Sequence, residues 1–186
     1  MAKILVISDH QDLKQSHSNR LILDDLERHF GAQIEVRRLS ELYPDFHIDV
    51  AAEQAALVKA EVVLLQYPTY WFNMPARLQK WFADVFTYGF AYGSGGDRLH
   101  GKKLLVSTST GAPAPVYDGK TFPPIRELAK PLVATAGYVG MSWQGIEVLY
   151  GAVYRPDVHS DGDLQQIQRR AQEYARQLAG KIEKLI

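Results

Sequence analysis

Val63-Leu64-Leu65-Gln66-Tyr67-Pro68-Thr69-Tyr70-Trp71-Phe72-Asn73-Met74-Pro75 decides the fold. It opens as an unbroken apolar run, the pattern of a strand covered on both faces, and ends at a proline where a helix can begin. Strands of that kind belong to parallel α/β sheets, whose ligands sit at the carboxyl ends of the strands. Here that end carries Tyr67, Tyr70, Trp71 and Phe72. So much aromatic area in a loop suits a flat ligand, and core or dimer packing would account for the same cluster without one.

Working outward, Ile4 to Ile7 reads as a second doubly covered strand, ending in Ser8-Asp9-His10. Ile22, Leu23, Leu26 and Phe30 recur at helical spacing from about Ser18, with Gly31 placed to end the helix. A strand follows over Ile34 to Leu39, a loop over 40–50 with Pro44, an alanine-rich helix over Ala51 to Ala60, and a strand over Val62 to Gln66. Pro75 opens a helix whose apolar stripe is Leu78, Trp81, Phe82 and Val85. After the glycine-rich loop Gly89 to Gly101 come a strand over Leu104 to Ser107, a helix reaching about Ala136 and a strand over Ser142 to Val148. Ser160 and Asp163 form a capping pair ahead of Leu164, Ile167, Ala171, Tyr174, Leu178 and Ile182.

Regular β-α alternation predicts a five-stranded parallel sheet with helices on both faces and right-handed crossovers. With 186 residues, 46% hydrophobic and 23% charged, and no linker or repeat, the chain reads as one domain, 1–186. Twenty-one Lys plus Arg balance 21 Asp plus Glu, so no basic field for nucleic acid exists. The absence of cysteine excludes disulfides, iron–sulfur clusters and thiol catalysis. No apolar run is long enough for a signal peptide or membrane span, so a cytoplasmic protein is expected.

Loops after strands one, three and four leave a parallel sheet at the same edge and can build one site. The first ends in Ser16-His17-Ser18-Asn19 at a helix start, where hydroxyls and free amides suit a phosphate, although for such a motif alone the favoured reading is that Ser18 or Asn19 is a plain N-cap. It lacks the Rossmann glycine pattern and a Walker A lysine. The aromatic loop is stiffened by Pro68 and Pro75. The third, Ser109-Thr110-Gly111-Ala112, lets a ring edge come close to backbone amides, and reads equally as an ordinary turn. Phosphate cup, aromatic wall and small-residue edge together point to flavin mononucleotide. No metal is expected, because His29, His47, His100 and His159 are scattered without ligand spacing.

Leu42-Tyr43-Pro44-Asp45-Phe46 with Ile48-Asp49, Gln66-Tyr67-Pro68, the Pro75 to Phe86 helix with Leu78, Lys80-Trp81 and Asp84, Gly89-Phe90-Ala91-Tyr92-Gly93 and Leu99-His100-Gly101-Lys102 carry a resemblance over nearly the whole chain. It resembles the flavodoxin-like NAD(P)H quinone oxidoreductases, which include the DT-diaphorase type and the bacterial ancillary oxidoreductases of glutathione-gated potassium efflux systems. The resemblance implies a flavodoxin-like three-layer sandwich, FMN (or FAD) as cofactor, NAD(P)H as cosubstrate and a quinone acceptor in ping-pong turnover. It implies that His10, Ser16, His17, Ser18 and Asn19 hold the phosphate. Pro68, Thr69, Tyr70, Trp71 and Phe72 would lie along the flavin, and Ser109, Thr110, Gly111 and Ala112 would meet its pyrimidine edge. Tyr117 would face the nicotinamide or quinone. Amides near Thr110 and Gly111 would stabilise the reduced flavin, with Tyr117 as a secondary polar handle.

Two positions depart from the family pattern: Ala112 replaces a common glycine, and Phe122 or Pro123 stands where a histidine is often found. The resemblance further implies a homodimer in which the Gly89 to Gly101 loop or the C-terminal region covers the partner's flavin. A second reading is a regulatory subunit docked on a membrane transporter, peripheral at the inner face of the membrane. A one-electron flavodoxin carrier fits poorly with a neutral chain.

Overall fold

The structure is a computed structural model, and it describes residues 3–186. The two unbroken apolar runs become β1 (Ile4–Ser8) and β3 (Val62–Pro68), both buried throughout. They lie side by side and in register, from Ile4 opposite Val62 to Ser8 opposite Gln66. β2 (Ile34–Arg38), β4 (Lys103–Ser109) and β5 (Ser142–Leu149) complete a parallel sheet of order β2-β1-β3-β4-β5. In that order the connections reverse between β1 and β3, and a crevice opens beyond their carboxyl ends, as it does in every fold wound this way.

Alternate strand residues serve opposite layers. Ile4, Val6, Leu64 and Leu105 pack against α1 (Asn19–Phe30) and α7 (Asp161–Glu183). Leu5, Ile7, Val63, Leu65, Leu104 and Val106 pack against α3 (Val50–Lys59), α4 (Ala76–Val85) and α6 (Lys130–Tyr138). The capping box at Ser160 and Asp163 is formed, and Gly31 ends α1 at φ 51°. Gly145, at φ 102°, lies where the β4–β5 register shifts, a bulge on an edge strand.

Expectation and structure differ in two places. The strand read over Ile34 to Leu39 stops at Arg38, and the stretch read as loop opens with a helical turn, α2 (Leu39–Leu42). The helix expected to run to Ala136 is broken into α5 (Ile125–Leu128) and α6 at Ala129, because Pro131 has no N–H and can occupy only a helix's first turn. In the loop that follows α2, Asp49 caps α3 through the Ala52 amide and Asp45 pairs with His47.

Glu53, fully buried, shows how α3 is tied down. Its carboxylate accepts from Arg37 Nε at 2.9 Å, Tyr43 Oη at 2.6 Å and Trp81 Nε1 at 2.8 Å, joining β2, α3 and α4. Burying a carboxylate is tolerable only with such full pairing. Among the described residues no helix is long and apolar enough to cross a membrane, and no cluster of three potential metal ligands occurs.

Candidate functional site

The three loops meet. At the crevice beyond β1 and β3 they line a cleft of ≈ 400 Å³, within the range of small-molecule sites. Behind its lining runs the polar row that ends the buried strands, reaching the cleft at Asn19 and Ser109. Ser8 Oγ donates to Gln66 Oε1 at 3.1 Å, and Gln66 Nε2 donates to Asn19 Oδ1 at 2.6 Å. Asn19 Nδ2 donates in turn to Ser109 Oγ at 3.0 Å. Asn19, 3% exposed, lines the cleft but spends its side chain inside this network. It is a strut from the first loop to β4 rather than a free ligand donor.

In the first loop Ser16 Oγ accepts from the Asn19 amide at 2.9 Å, so Ser16 is the capping hydroxyl of α1. Ser18 holds the N-cap position but its side chain caps nothing, and it lines the cleft. The main-chain N–H groups of His17 and Ser18 have no acceptor among the described residues. Two free amides and a hydroxyl at the positive end of a 12-residue helix form an anion cup. His10 accepts from the Asp12 amide through Nδ1 at 3.0 Å, which leaves the proton of the neutral ring on Nε2. Burial lowers its pKa below the ordinary histidine value. Beneath it, Asp9 is buried against Arg77 Nη1 at 2.9 Å, fixing the first loop to α4.

The second loop divides. Pro68, Thr69 and Tyr70 line the cleft, and the His10 ring meets Tyr70 edge-on at 6.1 Å. Tyr67 does not join the loop: it lies in β3, buried in the core, where desolvation raises its pKa. Trp71 and Phe72 are not on the cleft lining either. They are the central pair of a tight turn, at φ 48° and 63°, closed by mutual Tyr70–Asn73 backbone bonds of 2.9 Å. Such a turn ordinarily takes Asn-Gly, and each bulky residue in it costs about 1–2 kcal/mol. Trp71 is 95% exposed, so no internal packing explains its presence there. Phe72 packs edge-on against Phe122 at 5.1 Å.

The third loop corrects one expectation. The Thr110 amide is not available to a ligand, because it donates to Leu149 O at 3.0 Å, and the Thr110 hydroxyl donates to Ala112 O at 2.8 Å. Gly111 N–H meets no acceptor among the described residues, and Gly111 lines the cleft. Ala112 does not line it; its carbonyl accepts from Gly151 at 3.0 Å. Tyr117 stands back from the lining, packed against Phe122 at 5.6 Å and Tyr150 at 5.5 Å. Phe72, Phe122, Tyr117 and Tyr150 therefore form an aromatic string from the second loop to the end of β5.

Sequence reasoning missed Gln15 and a fourth loop. Ala152, Val153 and Tyr154, just past β5, line the cleft, and the Tyr154 ring meets His17 at 5.1 Å. The signal was present: β5 is parallel, so its outlet shares the edge of the other three, and it carries small and aromatic residues.

The chain matches the flavodoxin-like fold family over residues 2–178. It is 42% identical over 140 residues to the glutathione-regulated potassium-efflux system ancillary protein KefF of Enterobacter sp. (strain 638), covering 75% of this chain and 78% of that one. General stress protein 14 of Treponema denticola, solved in complex with FMN, superposes with a TM-score of 0.83 at 31% identity, over 96% of this chain and 99% of the other. An NADPH-quinone reductase from P. pentosaceus superposes with a TM-score of 0.75 at 25% identity, over 94% and 98%.

Proposed function

The chain belongs to the flavodoxin-like family of NAD(P)H quinone oxidoreductases, and from that premise we propose that it is an FMN-dependent NAD(P)H:quinone oxidoreductase. The observation that carries the proposal is the convergence, in one cleft of ≈ 400 Å³, of an anion cup, an apolar side and a free backbone donor. That donor set fits a flavin mononucleotide. When bound, the flavin supplies two-electron chemistry: NAD(P)H gives up two electrons and one proton, and the quinone leaves as hydroquinone after taking a second proton from water.

The residues divide the remaining work. His17 and Ser18 amides with the Ser18 hydroxyl hold the phosphate dianion at the α1 N-terminus. Pro68, Thr69 and Tyr70 form the apolar side of the cleft, and Trp71 and Phe72, in the turn that follows them, would lie along the ligand. Gly111 N–H, free of any acceptor among the described residues, would donate to the edge of the ligand where negative charge gathers on reduction. Tyr117, packed between Phe122 and Tyr150, would face the nicotinamide or quinone. With Phe122 apolar, no imidazole is supplied there, so solvent is the proton source for the acceptor. The cleft volume and the FMN of the T. denticola protein support FMN over FAD.

A homodimer completes this reading. The exposed Tyr88 and Tyr138 sit with Tyr92 in one aromatic cluster around the 89–101 loop, at ring separations of 5.9 and 5.7 Å, and such a patch suits a second copy whose cleft it would cover. The relation to KefF favours a second reading, a subunit docked at the cytoplasmic face on a potassium-efflux transporter with weak turnover of its own. Steady-state oxidation of NAD(P)H with a benzoquinone acceptor separates the two. Parallel double-reciprocal lines and turnover of at least about 1 per second are expected of the enzyme. Full flavin loading with negligible turnover supports the docked subunit instead.

A further inference from the structure

We propose that Arg170, on α7 and outside the cleft, is a positioning residue that polarises Gly111 N–H toward the flavin through two intervening peptide groups. The proposal rests on the flavin reading above. Its guanidinium spans two consecutive carbonyls of the β5 outlet, donating through Nη2 to Tyr150 O and through Nη1 to Gly151 O, the latter at 3.4 Å. Gly151 sits at φ 60°, a conformation that favours glycine, and it turns both carbonyls toward one side chain.

Each of these peptide groups is held at its other end by the third loop. The peptide whose carbonyl is Gly151 O carries the Ala152 N–H, which donates to Thr110 O at 2.7 Å. The peptide whose carbonyl is Thr110 O carries the N–H of Gly111, a residue that lines the cleft, and that N–H has no acceptor among the described residues. The chain therefore runs from a fixed positive charge, through two aligned peptides, to the free donor. Hydrogen bonds in such a series strengthen one another, so the charge makes Gly111 N–H a stronger donor. Arginine keeps its proton at every working pH, so the bias is permanent.

The parallel branch is an anchor. The Gly151 amide donates to Ala112 O, which also accepts the Thr110 hydroxyl at 2.8 Å, and the following residue is Pro113, which has no N–H to pass the polarisation on. One side chain thus sets both the position of the Thr110–Ala112 turn and the charge at its donor.

The test compares R170M, R170Q and R170K with the unaltered protein. With FMN bound, the midpoint potential is measured against a reference dye. R170M and R170Q are expected to weaken binding of reduced relative to oxidised flavin about tenfold, a drop of about 30 mV for a two-electron couple, with R170K recovering at least half. In flavin-free protein the amide resonances of Ala152 and Gly111 are expected to move upfield in R170M and R170Q and to stay near their original positions in R170K. An unaltered potential in the fully loaded R170Q, or unmoved Ala152 and Gly111 resonances, overturns the relay. If the chain takes up no flavin at all, the functional proposal fails, while the amide resonances still decide the relay.

Discussion

Trp71 offers the sharpest separation of ligand binding from folding. Its side chain is 95% exposed and its backbone holds φ 48°, so truncation removes no packing and leaves the turn as strained as before. W71A should therefore change the stability of flavin-free protein by less than about 0.5 kcal/mol, the range of ordinary surface substitutions. W71G relieves about 1–2 kcal/mol of strain and loses about 0.5–1 kcal/mol to unfolded-state freedom, so it should be equal or slightly more stable. Flavin binding is where the loss should fall. A tryptophan buries up to about 200 Å², and covering one face gives about 100 Å², or roughly 2.5 kcal/mol. Half to all of that amounts to about a 10- to 70-fold weaker FMN Kd. Urea unfolding of apoprotein and FMN fluorescence quenching measure the two quantities separately. An unchanged FMN Kd in W71A, or a flavin-free W71A destabilised by more than about 2 kcal/mol, would refute the reasoning and return the loop to a packing role.

Ser16 and Ser18 should divide along structural lines: S16A removes the α1 cap and costs about 1 kcal/mol by urea unfolding. S18A should leave stability unchanged while weakening FMN more than riboflavin in a direct titration. N19A strands the Gln66 amide and the Ser109 hydroxyl in a buried network, and thermal or urea unfolding should register a loss of about 2–4 kcal/mol. Burial depresses the folded pKa of His10 below the ordinary histidine value, so the unfolded chain takes up the proton first as pH falls. The stabilising contribution is complete above the unfolded pKa and drains away below it until the folded pKa is passed. Tm measured from pH 8 to pH 5 should accordingly fall more steeply in the unaltered protein than in H10Q, and superimposable profiles would remove His10 from the account.

The layers of the fold are legible wherever burial alone writes the sequence. β1 and β3 are apolar without alternation because both faces are covered, and the capping box at Ser160 declares the start of α7 locally. The break at Ala129 follows from Pro131, which has no N–H to continue a helix and so marks the first turn of a new one. The loops that build the cleft are legible through topology, since parallel strands deliver their outlets to one edge. What stays hidden is long-range pairing. Nothing near Thr110 announces that its amide will be taken by Leu149, about forty residues on, nor that Asn19 will spend its amide on Gln66 and Ser109. Trp71 and Phe72 read as a wall because residue type suggests stacking. Their positive φ angles, which turn the indole out to solvent, arise from closing Tyr70 onto Asn73.

The central claim is that this cleft holds a flavin. The direct measurement is the absorbance spectrum and mass of the small molecule released from purified protein, with reconstitution by FMN. One FMN per chain, with its two visible bands, is the predicted result. A colourless protein that takes up neither FMN nor FAD would contradict the account.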